Sequence, residues 1–292
     1  MKRQHKKTFI GIAVLTVIAF MFCSCLLLSN QTVQFIFNDT YSRLQNNEIR
    51  EVKPIILTET QSATLEDLKK HPNITFDESM LLVNDVYRIN DNYALSITEY
   101  EERDVSVNTC IIQGFSQLSN ALLEETGETL FISSATRSFE KQKEIKQEKG
   151  DIAQNPGASE HQTGLAVDVY VQYYAGKNFI KSESGQFVNS NCDDYGFIVR
   201  YPFWGKLTTG ISYEPWHLRY VGLPHSQIIS NSMITYEQYI EHFEIGVFYE
   251  YDSYLITRQS TDNITIPNNF KSAVVSYDNT GHIFLTFSNC NS

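Results

Sequence analysis

Two short segments in the middle of the chain alternate between apolar and polar side chains. In residues 166–171 three valines occupy every second position, a period that is typical of a half-buried strand. Asp168 therefore lies on the opposite face from the valines, next to Ala166, whose small side chain leaves room for an ion. The alternation resumes at residues 217–221 and predicts a second strand, which begins at His217.

A helix, a buried strand and a second helix are predicted in succession before these two strands. Residues 109–126 carry their apolar side chains on one helical face, and residues 130–132 are continuously apolar. The chain then reaches Arg137, just before a helix that Ser138 caps and Gly150 closes. An arginine at a strand end beside a helix N-terminus is well suited to bind a carboxylate or a developing oxyanion.

Polar positions also shape the interpretation of the C-terminal part. Residues 235–243 have the pattern of a helix, and its polar side chains Glu237, Glu241 and His242 are interpreted as solvated. After this helix the chain returns to alternating segments, which predict a small β-rich extension over residues 246–292.

A run of twenty uncharged and predominantly apolar residues spans positions 9–28. As a helix, such a run covers about 30 Å, the thickness of a bilayer core. Residues 1–8 carry four basic side chains and no acid, so the N-terminus is expected to stay in the cytoplasm and the rest of the chain outside. The pattern favours an uncleaved single-pass anchor in the cell membrane; a cleaved signal peptide and lipidation of Cys25 are the alternatives.

These patterns divide the chain into five parts. The polar residues after the anchor are interpreted as a stalk, and the segment with the alternating strands as the functional domain. The predicted parts are a cytoplasmic basic head (1–8), a transmembrane anchor (9–28), a stalk (29–73), a catalytic domain (74–245) and the β-rich extension (246–292).

The charge of the chain limits its partners. The formal net charge is −11, and removing the +4 of residues 1–8 leaves −15 for the remainder. A body this acidic excludes nucleic acid as a partner, because binding through phosphates requires a basic surface.

The cysteines outside the predicted anchor are Cys110, Cys192 and Cys290. They are odd in number, and their spacing matches neither a zinc ribbon nor a redox pair. Inert thiols are expected, with one disulfide as the alternative.

Four side chains have the composition of a catalytic zinc site: His161, Asp168, His217 and Glu214. Such a site needs three protein ligands, an open position for water and a base that accepts a proton from that water. Residues 159–162 have the pattern of a capping box closed by Gly164, which would place His161 on a short turn entering the first strand. Glu214 precedes a proline and is therefore expected to be extended.

Around these residues the chain carries the pattern Ser-x-His-x-x-Gly-x-Ala-x-Asp at 159–168 and Glu-x-Trp-His-x-Arg at 214–219. This pattern resembles the zinc D,D-carboxypeptidases of the VanY type, the peptidoglycan-trimming relatives of the VanX dipeptidases. The likeness extends over residues 133–142 and 195–202 and covers a little under half of the chain. The family usually has Gly-Tyr where this chain has Ala135-Thr136, a departure that concerns the substrate wall and not the metal ligands.

The resemblance implies an α+β fold in which a small antiparallel sheet and its helices surround a zinc cleft, as in hedgehog and D,D-peptidase domains. It implies that His161, Asp168 and His217 bind Zn²⁺, while Glu214 transfers protons.

The resemblance also assigns substrate contacts. Arg137 is expected to contact substrate and to help polarise the attacked carbonyl, and Gln142 and Ser159 are expected to contact substrate as well. Aromatic residues of the segment that leads to Glu214 are expected to form the pocket wall, although Tyr213 and Trp216 are equally consistent with core packing.

The activity that the resemblance implies is removal of the C-terminal D-Ala or D-lactate from a peptidoglycan stem peptide or its lipid-linked precursor. Three alternatives stay open. The same scaffold could act as an L,D-carboxypeptidase or an endopeptidase. Ser138 and Lys141 match Ser-x-x-Lys of the serine penicillin-binding enzymes, but the chain lacks Lys-Thr-Gly. A non-catalytic wall-binding sensor could keep the metal for stability, but such a site has no use for the spare carboxylate of Glu214.

Overall fold

The computed structural model describes residues 30–45, 52–100, 105–150 and 153–288. The chain forms two compact units, Met1–Asn47 and Glu48–Ser292. The first unit contains helix α1, Gln31–Gln45. In the described ranges no helix is long and apolar enough to cross a bilayer. The predicted anchor and the basic head before it lie outside the described residues.

The second unit mixes short helices with short strands. The helices are α2 Leu65–Lys70, α3 Ile112–Thr126, α4 Phe139–Lys149, α5 Glu183–Asn191, α6 Lys206–Thr209, α7 His225–Ser232 and α8 Tyr236–His242. The strands are β1 Lys53–Ile55, β2 Thr60–Ala63, β3 Ile74–Asp77, β4 Ile97–Glu99, β5 Ser106–Asn108, β6 Phe131–Ser134, β7 Ala166–Tyr170, β8 Phe197–Val199, β9 His217–Tyr220, β10 Phe248–Tyr251, β11 Tyr254–Gln259, β12 Ile264–Pro267, β13 Ser272–Tyr277 and β14 Ile283–Ser288.

A four-stranded antiparallel sheet in the order β6-β7-β9-β8 carries the candidate site. Its two central strands are the ones predicted from the alternating pattern. Their register places Asp168 directly opposite His217, and side chains of such a cross-strand pair lie close together. The apolar face of the sheet packs on α3, where Phe115, Leu118 and Leu122 join Val167 and other buried residues in one core.

The helix boundaries near the site follow the predicted capping residues. The Ser138 hydroxyl accepts the backbone N–H of Lys141 at 3.1 Å, which caps α4, and Gly150 ends that helix. Gly164 adopts φ of 69°, a left-handed conformation that suits glycine, and ends the turn Glu160–Thr163. The predicted capping box there is wrong. The turn is a 3-10 helix in which the Ser159 side chain makes no capping hydrogen bond, and the side chain of Gln162 accepts from the backbone N–H of Gly157 at 2.7 Å instead.

A second sheet joins the two ends of this unit. Its order is β1-β10-β11-β14-β13-β3, with β3 parallel to β13 and the other pairs antiparallel. Strand β2 pairs separately with β12. Part of the predicted stalk, residues 53–63, thus supplies β1 to the six-stranded sheet and β2 to the separate pair with β12. The stalk prediction rested on the polar composition of this segment, which conceals strands that are half exposed at sheet edges.

Helices α7 and α8 lie between the two sheets. Ile228, Tyr239 and Ile240 of these helices pack with Ile198 of β8 and with Phe284 of β14 in a second buried cluster. This shared core ties the sheet that carries the site to the six-stranded sheet.

The described cysteines outside the predicted anchor are Cys110 and Cys192, and no disulfide joins them. Cys192 is buried, and burial raises the pKa of the Cys110 thiol well above its usual range. A shielded thiol that resists ionisation is unreactive, as the sequence predicts for these two. Cys290 lies outside the described residues.

Candidate metal centre and active-site cleft

Three of the predicted residues bring potential metal-ligand atoms together. One donor atom each from His161, Asp168 and His217 lies within 4.8 Å of the others. His161 comes from the 3-10 turn before β7, Asp168 from β7 itself and His217 from the start of β9. Both histidines are 5% exposed, so the donors form the floor of a site that is open from one side only.

Hydrogen bonds orient the two imidazoles. His161 Nδ1 lies 2.9 Å from the carbonyl oxygen of Ala135. A carbonyl can only accept, so Nδ1 carries the proton and Nε2 turns towards Asp168 Oδ2, 3.3 Å away. His217 presents its other nitrogen, with Nδ1 2.9 Å from Asp168 Oδ1. The converging atoms are therefore Nε2 of His161, the Asp168 carboxylate and Nδ1 of His217.

The protonation of this cluster suits a cation. Burial would raise the pKa of Asp168, but hydrogen bonds with His161 and His217 outweigh it and keep that carboxyl ionised. Burial lowers the pKa of His161, which keeps its imidazole neutral. Burial would also lower the pKa of His217, but the hydrogen bond with Asp168 and the nearby carboxylate of Glu160 raise it to about 9. Without a metal, His217 thus holds a proton between two carboxylates, and a bound cation would replace that proton.

The donor set fits a catalytic zinc ion. Two imidazoles and one carboxylate are a recognised combination for zinc when a fourth position stays open. The cluster lies on the floor of a cleft of about 880 Å³, which gives a substrate access to that position. The residues present therefore fit the metal that the resemblance implies.

Glu214 lines the same cleft but is not part of the ligand cluster. The backbone N–H of His217 donates to the Glu214 carbonyl at 3.1 Å, so both residues lie on one tight turn. Burial raises the pKa of the Glu214 carboxyl, and the nearby charge of Asp168 raises it further. A carboxyl group of this kind is able to hold a proton closer to neutral pH than an exposed glutamate.

Arg137 also lines the cleft, and two hydrogen bonds hold its guanidinium. Its Nη1 donates to Gln142 Oε1 at 2.7 Å and its Nη2 to Ser134 Oγ at 3.2 Å. Gln142 in turn donates to the carbonyl of Gln154 at 2.7 Å and is only 1% exposed. The structure thus places Gln142 against Arg137, where it orients the guanidinium.

The remaining predicted contacts divide into two groups. Ser159 and Trp216 line the cleft together with residues 208–211, at the C-terminal end of α6. Tyr213 is not among the described residues that line it. Its hydroxyl donates to Asn189 Oδ1 at 3.0 Å, so the chain turns this ring towards α5. A contact between Tyr213 and substrate stays a prediction.

Sequence reasoning missed a buried ionic network behind His217. Glu160 accepts a hydrogen bond of 2.7 Å from Arg200 Nε, and Arg200 Nη1 donates to Glu237 at 3.0 Å. The interpretation of Glu237 as solvated is wrong, because its carboxylate pairs with a guanidinium that is 1% exposed. The ring of Tyr201 packs against His217 with 5.0 Å between centroids. Partners that lie 37 and 40 residues apart leave no local pattern, so the available signal was a glutamate inside the metal motif.

The class of protein follows from this arrangement. A histidine on a turn, with an aspartate and a second histidine on the adjoining four-stranded sheet, lies below a cleft that a further carboxyl group and an arginine also line, which is the composition of a metal-dependent hydrolase site. A solved structure of the vancomycin resistance D,D-dipeptidase VanXYg superposes on 79% of this chain and 98% of its own, with a TM-score of 0.64 at 24% identity. This similarity confirms the predicted α+β fold.

Sequence comparison identifies the family. Residues 104–223 match the family model described as VanY, D-alanyl-D-alanine carboxypeptidase. A D-alanyl-D-alanine carboxypeptidase of Enterococcus faecium is 31% identical over 238 residues, which cover 73% of this chain and 76% of that relative. The chain belongs to the VanY family of carboxypeptidases, as the resemblance predicted.

A second solved structure, that of the LdcB LD-carboxypeptidase, is also similar to this chain. It is 29% identical, covers 62% of this chain and 97% of its own, and gives a TM-score of 0.52. This chain therefore shares its fold with a protein named as an LD-carboxypeptidase, whereas its family is described as D-alanyl-D-alanine carboxypeptidase.

Proposed function

We propose that this chain is a zinc D,D-carboxypeptidase that removes the C-terminal D-Ala or D-lactate from peptidoglycan stem peptides or their lipid-linked precursors. The observation that carries the proposal is the convergence of His161, Asp168 and His217 below a cleft that Glu214 and Arg137 also line. The family and the E. faecium relative support the choice of a D-alanyl-D-alanine terminus.

The three converging donors would hold the zinc ion. When bound, zinc lowers the pKa of a water molecule to about 7 and polarises a carbonyl oxygen. Asp168 contributes the negative charge of the site, and His161 is held in the correct tautomer by the Ala135 carbonyl. A purely structural zinc site is usually closed by four protein ligands, so three ligands facing a cleft favour an enzyme over a wall-binding sensor.

Glu214 would move the proton during hydrolysis. As the oxygen of the attacking water bonds to the carbonyl carbon, Glu214 accepts the proton that this water loses. It then returns the proton to the leaving amine (or alcohol, for a D-lactate ester) as the bond to that group breaks. The raised pKa of Glu214 suits both steps, because the group must accept and release a proton near neutral pH.

Arg137 would recognise the free C-terminus. Gln142 and Ser134 fix its guanidinium through two of the N–H donors, which leaves further donors for a carboxylate. A carboxypeptidase needs such a cation, since only a substrate that ends at the cleaved residue presents a carboxylate there. This requirement favours a carboxypeptidase over an endopeptidase.

An L,D-carboxypeptidase is the second candidate. It is favoured by the similarity to LdcB, because a shared fold leaves the stereochemistry of the penultimate residue open. The two candidates use the same zinc, Glu214 and Arg137 and differ only in the substrate that enters the cleft.

The proposed location is the outer face of the cell membrane. The apolar run at residues 9–28 and the basic residues before it support a single-pass anchor with a cytoplasmic N-terminus. If the proposal is correct, protease added to intact cells digests the second unit, and the chain fractionates with membranes. A trimmed, soluble product in the medium would support the signal-peptide alternative.

The central test is mass spectrometry of products from synthetic stems. The full-length chain should shorten a pentapeptide that ends in D-Ala-D-Ala, or a depsipeptide that ends in D-Ala-D-lactate, by one residue. Activity should disappear with a strong chelator and return with zinc, and penicillin should not inhibit, since no serine acyl-enzyme forms. Cleavage of the tetrapeptide alone would replace the D,D assignment with the L,D one. Labelling of Ser138 by penicillin, with activity surviving the chelator, would overturn the zinc mechanism.

A further inference from the structure

A buried carboxylate lies directly behind the candidate metal ligand His217. Glu160 is fully buried, and its Oε1 accepts the 2.7 Å hydrogen bond from Arg200 Nε. Arg219, also fully buried, places its Nη1 4.0 Å from the same oxygen. Two guanidinium groups therefore surround one side of this carboxylate and leave its second oxygen, Oε2, on the other side.

The second oxygen faces the imidazole of His217. Glu160 Oε2 lies 3.7 Å from His217 Nε2. Each of these two atoms is buried and has no hydrogen-bond partner among the described residues. Native structures rarely leave buried polar atoms unpaired, and an unpaired one calls for a functional or ligand-linked explanation. An approach of about 0.5 Å would bring the two atoms into the normal range for a hydrogen bond.

Metal binding at Nδ1 would leave Nε2 as the one ring nitrogen that carries a proton. His217 turns Nδ1, not Nε2, towards Asp168 and the other ligand atoms. An imidazole that binds a cation through Nδ1 must carry its proton on Nε2. That proton then points at Glu160 Oε2. Metal-ligating histidines commonly donate their second nitrogen to a carboxylate, which fixes the tautomer and the ring orientation.

We propose that Glu160 is a positioning residue that accepts the Nε2 proton of His217 and thereby fixes the tautomer in which Nδ1 binds the metal. The inference rests on the proposed zinc centre. Arg200 keeps the carboxylate charged and correctly turned, and Glu237 of α8 holds the far side of the Arg200 guanidinium. The tyrosine rings at positions 201 and 236 lie against the same guanidinium and shield it from solvent.

A matched pair of substitutions separates positioning from simple structural support. Glu160→Gln keeps the shape of the side chain, but its amide has one acceptor and one donor group. If the amide oxygen accepts from Arg200, the NH₂ group meets His217 Nε2 and favours the tautomer with the proton on Nδ1, which cannot bind metal there. Glu237→Gln also removes one carboxylate charge from the Arg200 network, yet leaves Glu160 intact.

The measurement is zinc affinity by competition with a chromophoric chelator, on the full-length chain. Glu160→Gln should weaken zinc binding about 10- to 100-fold, the usual effect of losing such a partner. Glu237→Gln should lower the melting temperature while zinc affinity stays within about twofold of the unmodified chain. Unchanged affinity in Glu160→Gln, or an equal loss in both variants, would overturn the inference.

A spectroscopic test needs no variant and so does not depend on whether Glu160→Gln folds. In the zinc-loaded chain with ¹⁵N-labelled histidine, the His217 ring should show its proton on Nε2 and the metal-shifted resonance on Nδ1. Metal binding through Nε2 would overturn the inference even though the zinc enzyme itself stands. A chain that binds no zinc at all would overturn the proposed function, and the inference with it.

Discussion

At the scale of single residues, the different surroundings of Asp168 and Glu214 shift the pKa values of these two carboxyl groups in opposite directions. Hydrogen bonds from two imidazoles keep Asp168 ionised, as a ligand must be. Glu214 lies three residues before a ligand and receives no such bonds, so burial dominates and raises its pKa. The same acidic group thus has the charge of a ligand in one position and, in the other, the raised pKa that the proposed proton transfer requires.

Replacing Glu214 by Gln should separate chemistry from coordination. The amide cannot accept a proton, so turnover should fall about 10²- to 10⁴-fold, the usual contribution of general acid–base catalysis. Zinc content should stay near one ion per chain, because Glu214 is not in the ligand cluster. Metal analysis and a rate assay on the same preparation check both; Asp168→Ala, which should lose the metal, is the control. Full activity in Glu214→Gln would remove the residue from the mechanism.

Arg137 allows a test in which substrate and enzyme are changed together. Amidation of the substrate C-terminus removes the carboxylate, and Arg137→Ala removes its proposed partner. The unmodified enzyme should lose far more kcat/KM on amidation than the variant does, because only it has a charge-assisted hydrogen bond to lose. The four rate constants form a double-mutant cycle. Equal sensitivity of both enzymes would show that Arg137 does not bind the carboxylate.

At the scale of elements, a buried histidine links both helices below the site to the six-stranded sheet. His225 at the start of α7 lies 2.6 Å from the Tyr239 hydroxyl of α8 through Nδ1 and 2.8 Å from the Thr286 hydroxyl of β14 through Nε2. Burial lowers the pKa of His225 to about 3. The folded state therefore keeps this ring neutral at pH values at which the unfolded chain is already protonated.

This difference predicts loss of stability in acid. Between pH 6.5 and about 3, His225 binds a proton in the unfolded state but stays neutral in the folded state. The free energy of unfolding therefore falls as the pH falls. The contribution of this group is at most about 1.4 kcal/mol per pH unit. Denaturant titrations at pH 7 and 4.5, on metal-free protein, should show a smaller pH-dependent loss for His225→Gln than for the unmodified chain. An equal loss in both would mean that His225 is protonated in the folded state.

At the scale of the whole molecule, the C-terminal segment is a structural part of the second unit. Strands β10, β12 and β13 pair with β1, β2 and β3 from the other end of that unit. The face of the six-stranded sheet also covers α7 and α8 through the core that contains Tyr239 and Phe284. The segment therefore completes a core that reaches the strand next to β9.

Truncation before residue 246 should accordingly abolish folding. The deletion removes the pairing partners of three strands and exposes the apolar side chains of α7 and α8, which a small domain cannot compensate. Circular dichroism melting and limited proteolysis check this outcome. A chain that ends at Ser288 keeps every described strand and is the matched control, which should melt like the full chain. A cooperative melt of the chain that ends before residue 246 would show that the C-terminal segment is an independent appendage.

The chain by itself determined the features that depend on neighbours a few residues away. The period of two in residues 166–171 predicted β7, Ser138 and Gly150 bounded α4, and the spacing around His161 and Asp168 indicated two of the ligands. Strand period, capping and motif spacing are local consequences of backbone geometry, so a single sequence carries them.

Only the tertiary structure decided the contacts between distant segments. It paired Arg200 with both Glu160 and Glu237, joined the Tyr213 hydroxyl to Asn189, and joined residues 53–63 to strands near the C-terminus. Each of these contacts forms because packing of the local elements leaves a buried charge, a polar group or a sheet edge that needs a partner. Such a requirement arises from the folded arrangement as a whole and has no period or spacing along the chain.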